Sequence, residues 1–416
     1  MKEKKQVQSM KVGVVGLGQF APELLPLFLA HPGISEVSAC DVVPDRLQSA
    51  REQFGITRLF DDFDALLRSD VDAVALFTQR WLHGPMTIAA LQHGKHVYSS
   101  VPMGVSLEEI EQILQLVRAT GLTYMTGETS YYYPGVVFCR KEFRKGSFGR
   151  FVYGEAEYLH DMSHGFYEAY RYSGGDQWKR TASFPPMLYP THSISSILGV
   201  TNSYATSVSC VGYVDREKDG VFDTSVSMWG NEFSNETALF TTADGGSMRI
   251  NEMRRIGVPT NIPSSRMSMF GTRASFEQQT GSAVWQTLDG YTPVTDLLTT
   301  APVESPANAG RGSNDIVDED LRAEFRSGFA PIHDPSGLPR SFEGLDNGHE
   351  GSHQFLVNDF VVSGLSETLP PLNAWVSARF AVPGIVAHQS ALRAGERLAV
   401  PDFGLYASPT DEQESL

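Results

Sequence analysis

Lys11-Val12-Gly13-Val14-Val15-Gly16-Leu17-Gly18-Gln19-Phe20-Ala21 is an apolar run that empties into a glycine turn. The turn matches G-x-G-x-x-A, and Pro22-Glu23-Leu24-Leu25 then opens a helix. Gly16 permits the tight turn, Gly18 lets a pyrophosphate approach the backbone, and Ala21 lets helix and strand pack closely. The diphosphate of a dinucleotide would lie on the helix N-terminus, beside Gln19 and Phe20. The following strand, Val37-Ser38-Ala39-Cys40-Asp41, ends on a carboxylate about 23 residues beyond Gly18, the spacing at which an acid takes the ribose hydroxyls. Asp41 would repel a 2′-phosphate, so NAD is the expected cofactor, with Arg46 placed to stack on the adenine.

From 11 to about 127 the pattern alternates strand and helix. Strands are expected at 11–15, 36–41, 73–78, 95–99 and 122–126, with helices near 21–31, 44–54, 62–68, 84–93 and 106–119. Ser106 and Glu109 form a capping box at the last helix. After Tyr131 the period changes to two, in stretches at 151–158, 205–214, 224–230, 236–242 and 247–253, with helices about 187–198 and 351–364. The reading is an α/β Rossmann domain, a doubly wound parallel sheet over 11–130, followed over 131–404 by an α+β domain with a large, open, mostly antiparallel sheet. Polar tails occupy 1–10 and 405–416. A long loop rich in Pro, Gly, Asn and Asp spans 299–349.

The 416 residues exceed one core and suit two domains. A net charge of −16 argues against binding nucleic acid through phosphates. No apolar run approaches the roughly 20 residues of a membrane span. The polar start Met1-Lys2-Glu3-Lys4-Lys5 lacks the apolar core of a secretory leader, so a cytoplasmic protein is expected. Cys40, Cys139 and Cys210 stand in no metal-ligand spacing and read as buried thiols.

Beyond the glycine turn, Val74-Ala75-Leu76-Phe77-Thr78 is followed by His83, then Ala89-Ala90-Leu91 and Gly94-Lys95-His96-Val97. This succession resembles the Gfo/Idh/MocA oxidoreductases, over about 11 to 404. The resemblance implies a Rossmann domain joined to an open sheet, the substrate between them, and the nicotinamide half of NAD covered by the loops of Thr78, His83, Val101 and Pro102. Most members carry Glu-Lys-Pro where this chain has Ser100-Val101-Pro102, and Val101 transfers no proton. Glu157-Tyr158-Leu159-His160, Leu188-Tyr189-Pro190-Thr191-His192, Gly348-His349-Glu350-Gly351 and Pro401-Asp402-Phe403 resemble one branch, the NAD-dependent glycosidases of glycoside hydrolase family 109. Those enzymes oxidise a ring hydroxyl, eliminate the glycosidic substituent, add water and return the hydride. By that resemblance Tyr158, His160, Tyr189 and His192 line the site, and the turn of His349 lies near the substrate cleft.

The chemistry also follows from the residues. Removing hydride from a secondary alcohol needs a group that accepts the hydroxyl proton near the working pH, and histidine suits it best. His192, at the start of a helix at the domain junction, is the candidate base; a helix-capping or core histidine is the alternative. Tyr158 and His160 are i and i+2 on a strand and share a face, as a two-residue acid/base site requires. A solvent-facing sheet surface is their alternative. Glu128, His164, Trp178 and His349 are candidate substrate contacts. His160-Asp161-x-x-His164 with Glu128 offers metal donors without a spacing that fixes a common face, and no metal is expected. Arg254 and Arg255 follow an expected strand and could hold an acidic substrate group, with a solvated surface pair the preferred reading. The expected partner is a small sugar or glycoside, and self-association as a dimer or tetramer is expected through the C-terminal sheet. A plain carbohydrate or cyclitol dehydrogenase that releases NADH, and an NAD-binding sensor without turnover, remain open.

Overall fold

The computed structural model describes residues 9–259, 262–301 and 328–405. Most of the 299–349 loop, and nearly all of both tails, lie outside the described residues.

The first sheet contains β1 (Met10–Val15), β2 (Ile34–Cys40), β3 (Leu59–Phe60), β4 (Ala73–Leu76), β5 (His96–Ser99) and β6 (Tyr124–Thr126). All pairs are parallel, in the order β3-β2-β1-β4-β5-β6. Val12, Val14, Ala73, Val74 and Val97 are wholly buried because helices cover both faces. Those helices are α1 (Ala21–Ala30), α2 (Pro44–Phe54), α3 (Phe63–Leu67), α4 (His83–Gln92) and α5 (Leu107–Thr120). The expected cap holds at α5: Ser106 Oγ accepts from Glu109 N–H at 3.2 Å, and Glu109 Oε2 accepts from Val105 N–H at 2.8 Å.

The second sheet contains β7 (Phe151–Leu159), β8 (Ala205–Val214), β9 (Phe233–Thr242), β10 (Ser247–Met253), β11 (Ser265–Gly271), β12 (Ala274–Gln278), β13 (Ala283–Thr287), β14 (Gly290–Pro293) and β15 (Leu398–Ala399). Its order is β14-β13-β12-β11-β7-β10-β9-β8-β15, antiparallel except for the central β7–β10 pair. The fold class is therefore the expected one. Helices fill the junction and one sheet face: α6 (Pro134–Arg144), α7 (Tyr167–Gly174), α8 (Trp178–Ala182), α9 (Thr191–Thr201), α10 (Thr295–Leu298), α11 (His353–Ser366) and α12 (Ala374–Leu392). α9 packs on β7, β10 and β11, and α12 packs on β8. The opposite face carries an ion-pair row in which Arg249 meets Glu155 at 2.8 Å and Arg266 meets Glu157 at 2.8 Å.

Three sequence expectations change. Residues 224–230 form turns, not a strand, because Asp223 accepts from Ser225 N–H and hydroxyl and closes the chain locally. The helix expected over 187–198 begins at Thr191, after the short turn Pro186–Leu188. Neither arginine of the expected surface pair is solvated: Arg254 is buried against Glu252 at 2.8 Å, and Arg255 is largely covered and paired with Asp215 at 2.5 Å and Asp219 at 2.6 Å. α12 went unrecognised because it is buried on nearly every side and contains Pro383, so it shows no polar stripe.

Candidate active site

β6 ends one residue before Gly127, and Glu128 follows with no exposed surface. Its Oε1 accepts from Ser130 N–H at 3.0 Å and from the Ser130 hydroxyl at 2.7 Å, and lies 2.6 Å from Nδ1 of His192. His192 is the second residue of α9, itself 4% exposed. Burial works to raise the Glu128 carboxyl, but His192 and Ser130 outweigh it and hold the group below the usual carboxylate range. With its Nδ1 proton committed to Glu128, His192 presents a bare Nε2, which receives the Tyr189 hydroxyl at 3.1 Å.

β7 supplies the facing wall. The Tyr158 ring lies 4.9 Å from His192 and 5.5 Å from His160, so the i, i+2 pair does share a face at the strand end. Burial, with Tyr189 nearby, pushes the Tyr158 phenol well above its usual value, which favours hydrogen-bond donation over ionisation. His160 stacks on Phe166 at 3.9 Å. Burial, then the Arg254 charge, drives its pKa far down, and its Nδ1 has no partner among the described residues. The His164 ring is 6.2 Å away, its Nδ1 likewise without a partner.

Sequence reasoning missed two charged members, Arg80 and Glu252, and placed a third, Arg254, on the surface. Arg80 reaches from just beyond β4, places its guanidinium 4.1 Å over the Tyr189 ring and bonds the Tyr170 hydroxyl. Arg254 lies 4.8 Å over the Tyr158 ring. Glu252 bonds Arg254 and the Ser193 hydroxyl, and burial pushes its carboxyl up to about 7. Glu252 had a signal: it takes the inward parity of Met248 and Ile250 along β10, where a charge is out of place without a partner.

The cofactor candidates gather at the other side of the junction. Gly16 has φ +84°, and a Cβ there would meet the Phe77 carbonyl at 2.9 Å, so only glycine fits. A Cβ on Gly18 would meet nothing within 4 Å, leaving open the approach that a diphosphate needs above the α1 N-terminus. Beside it, Gln19 Nε2 is buried without a partner. Asp41 accepts from Leu17 N–H at 2.7 Å and Val43 N–H at 2.8 Å, tying the β2 end to the glycine turn. Arg46 stacks 4.4 Å over Tyr172, a contact from α7 across to α2. Thr78 Oγ1 meets Met86, and the buried His83 lies 3.0 Å from the carbonyls of Thr78 and Pro102, joining those two loops next to Val101. These residues fit a dinucleotide. Phe20 turns from the groove toward His349 and His353, at ring distances of 5.3 and 5.6 Å.

Two substrate candidates stand apart from His192. Trp178 packs on Tyr167 and Arg171. His349 faces Glu23 and His353 at the start of α1.

Residues 10–128 match the family model for the oxidoreductase family, NAD-binding Rossmann fold, of Gfo/Idh/MocA type. This segment is similar to the NAD-binding domain of the Gfo/Idh/MocA oxidoreductases. A glycosyl hydrolase family 109 protein from Saccharopolyspora erythraea is 30% identical over 202 residues, 46% of this chain and 44% of that protein. The chain thus spans about half the length of the curated relatives it matches. Among solved structures, a levoglucosan dehydrogenase in complex with NADH and L-sorbose superposes with TM-score 0.69 at 17% identity, covering 95% of this chain and 100% of that one. Myo-inositol 2-dehydrogenase from Lactobacillus plantarum does so with TM-score 0.66 at 14% identity, covering 94% and 100%. At such identities the likeness shows the fold alone, over both sheets. No helix among the described residues is long and apolar enough to cross a membrane.

Proposed function

We propose that this protein is an NAD-dependent oxidoreductase that acts on a ring secondary alcohol of a sugar or sugar derivative. The supporting observation is the Glu128–His192–Tyr189 chain, a base oriented by a buried carboxylate and facing a hydroxyl at the junction of the two sheets. Bound NAD supplies the hydride acceptor for the substrate's carbinol hydrogen. The hydroxyl proton passes to Nε2 of His192, directly or through the Tyr189 hydroxyl, and Glu128 stabilises the imidazolium that forms. The alcohol becomes a ketone, with one hydride and one proton removed. Val101 stands where most Gfo/Idh/MocA proteins place a lysine, so the proton work falls to the α9 histidine.

Arg80 and Arg254 hold Tyr189 and Tyr158 by their ring faces, which leaves the two hydroxyls to orient a polyol. A ketone at C3 of a sugar acidifies the C2 hydrogen. His160 and Tyr158, side by side at the end of β7, are placed to receive that proton when a glycosidic substituent leaves. The family 109 relatives support this redox-neutral cycle.

Incubation in heavy water with a glycoside and catalytic NAD tests it: product should carry deuterium at C2 with protium retained at C3. His192→Ala should lower turnover by about 10²–10⁴-fold with NAD binding preserved. Unlabelled product formed with stoichiometric NADH would establish a plain dehydrogenase. Near-normal turnover in His192→Ala would overturn the assignment of the base.

A further inference from the structure

Beyond the His192 site, a second set of donors meets across the two domains. Glu23 belongs to the first turn of α1, directly after the glycine turn. His353 begins α11, and His349 precedes it in the elbow Gly348–Gly351. Three atoms of these side chains form one triangle: His353 Nε2 to His349 Nδ1 is 2.9 Å, His349 Nδ1 to Glu23 Oε2 is 3.5 Å, and His353 Nε2 to Glu23 Oε2 is 3.8 Å.

A triangle of those sides has a circumradius of about 2.0 Å, so a single point in or just above its plane lies at Zn–N and Zn–O bonding distance from all three atoms. The telling quantity is the length of that radius: a looser hydrogen-bonded cluster would have a circumradius well above a metal–ligand bond. The protein also holds them there at a cost: His349 sits at φ +46° and Glu350 at φ +54°, a left-handed backbone that non-glycine residues seldom adopt. Gly348 has no room for a side chain, because a Cβ would strike the His353 ring at 2.8 Å. His353 is buried, His349 is partly covered, and Glu23 is 39% exposed, so the site opens to solvent on one side. That side gives an ion its entry and leaves positions for water.

We infer that Glu23, His349 and His353 bind one divalent transition-metal ion, with Zn²⁺ the best match, which pins the α11 elbow of the second domain to the start of the cofactor-binding helix. Two imidazoles and one carboxylate exclude Ca²⁺ and Mg²⁺, which prefer all-oxygen shells. The reading is independent of the reaction proposed at His192.

The test uses Co²⁺ and Zn²⁺ on the full-length protein after chelator treatment. Co²⁺ should bind one to one, develop the visible absorption of a low-coordinate N/O site, and be displaced by Zn²⁺. Zn²⁺ should raise the melting temperature. Glu23→Gln and His349→Asn each remove a ligand without emptying buried space, and Asn tolerates the left-handed backbone. Each should weaken Co²⁺ binding by at least the roughly 10–100-fold that loss of even an outer-shell partner causes. Each should also abolish the Zn²⁺-dependent thermal shift while NAD binding in the absence of metal persists. No Co²⁺ binding to the wild type, or equal binding and thermal shift in both variants, would overturn the site.

Discussion

Glu128 has no solvent contact and gives one oxygen to His192 and Ser130 at once, so its task is to fix the imidazole's tautomer and orientation rather than to meet substrate. Glu128→Gln keeps the shape and the Ser130 bonds but removes the charge that stabilises a protonated His192. Turnover on the true substrate should fall about 10²–10⁴-fold, the range of a lost acid/base contribution. The melting temperature and NAD affinity should stay close to wild type. Steady-state kinetics beside calorimetry check this, and unchanged turnover would return Glu128 to a structural role. The partners of this residue were not visible in the chain: Glu128 and His192 are 64 positions apart, and no local periodicity links the end of a parallel strand to a helix of the next domain.

The site's precision depends on α9, whose first turn carries His192, and on how α12 packs beneath the turn Pro186–Leu188. Gly384 is the contact point. A Cβ there would lie 2.2 Å from both the Met187 carbonyl oxygen and Pro190 Cγ, so the turn carrying Tyr189 must move. Gly384→Ala should cost about 1–3 kcal/mol by overpacking. It should reduce turnover further than that loss of stability explains, because Tyr189 and His192 shift together. Denaturant unfolding and kinetics on the same preparation separate the two effects, and wild-type values for both would show that α12 does not support the site. At this scale the Rossmann elements were readable, since each buried strand is bounded by glycine or a capped helix. α12 was not, because a helix buried all round has no polar face to give it a period, and β11 to β14 alternate too weakly to stand out.

Over the whole molecule, folding buries many neutral imidazoles. Burial lowers the rings of His31, His83, His96, His160 and His333, His83 to about 4. Below about 6.5 the unfolded chain takes up protons that these folded rings refuse, so their contribution is present above that pH and lost as pH falls toward 4. Glu252, raised to about 7, and Asp359, raised to about 6, act in the opposite sense: the folded state keeps protons that the unfolded state releases, so their contribution declines as pH rises through those values. His353 is lowered in the same way and Glu109 raised, so among the described residues six rings stand against three carboxyls and the imidazoles prevail. The urea midpoint should therefore be lower at pH 5 than at pH 7.5. An equal or higher midpoint at pH 5 would contradict this balance.

The amino-acid sequence by itself determined the class of each half and marked where a cofactor is expected. Gly16, Gly18, Ala21 and Asp41 act within one strand-turn-helix-strand unit, where steric demands are local and leave a mark in the order of residues. It also marked His192, Tyr158 and His160 as candidates, since residue type and strand parity are local properties too. Only the tertiary structure decided what those groups face. The pairing of His192 with Glu128, the guanidinium faces of Arg80 and Arg254 on two tyrosines, and the meeting of Glu23 with His349 and His353 join segments tens to hundreds of residues apart. Such pairings depend on how the helices pack between two sheets, and burial then sets which of the assembled groups keeps its charge.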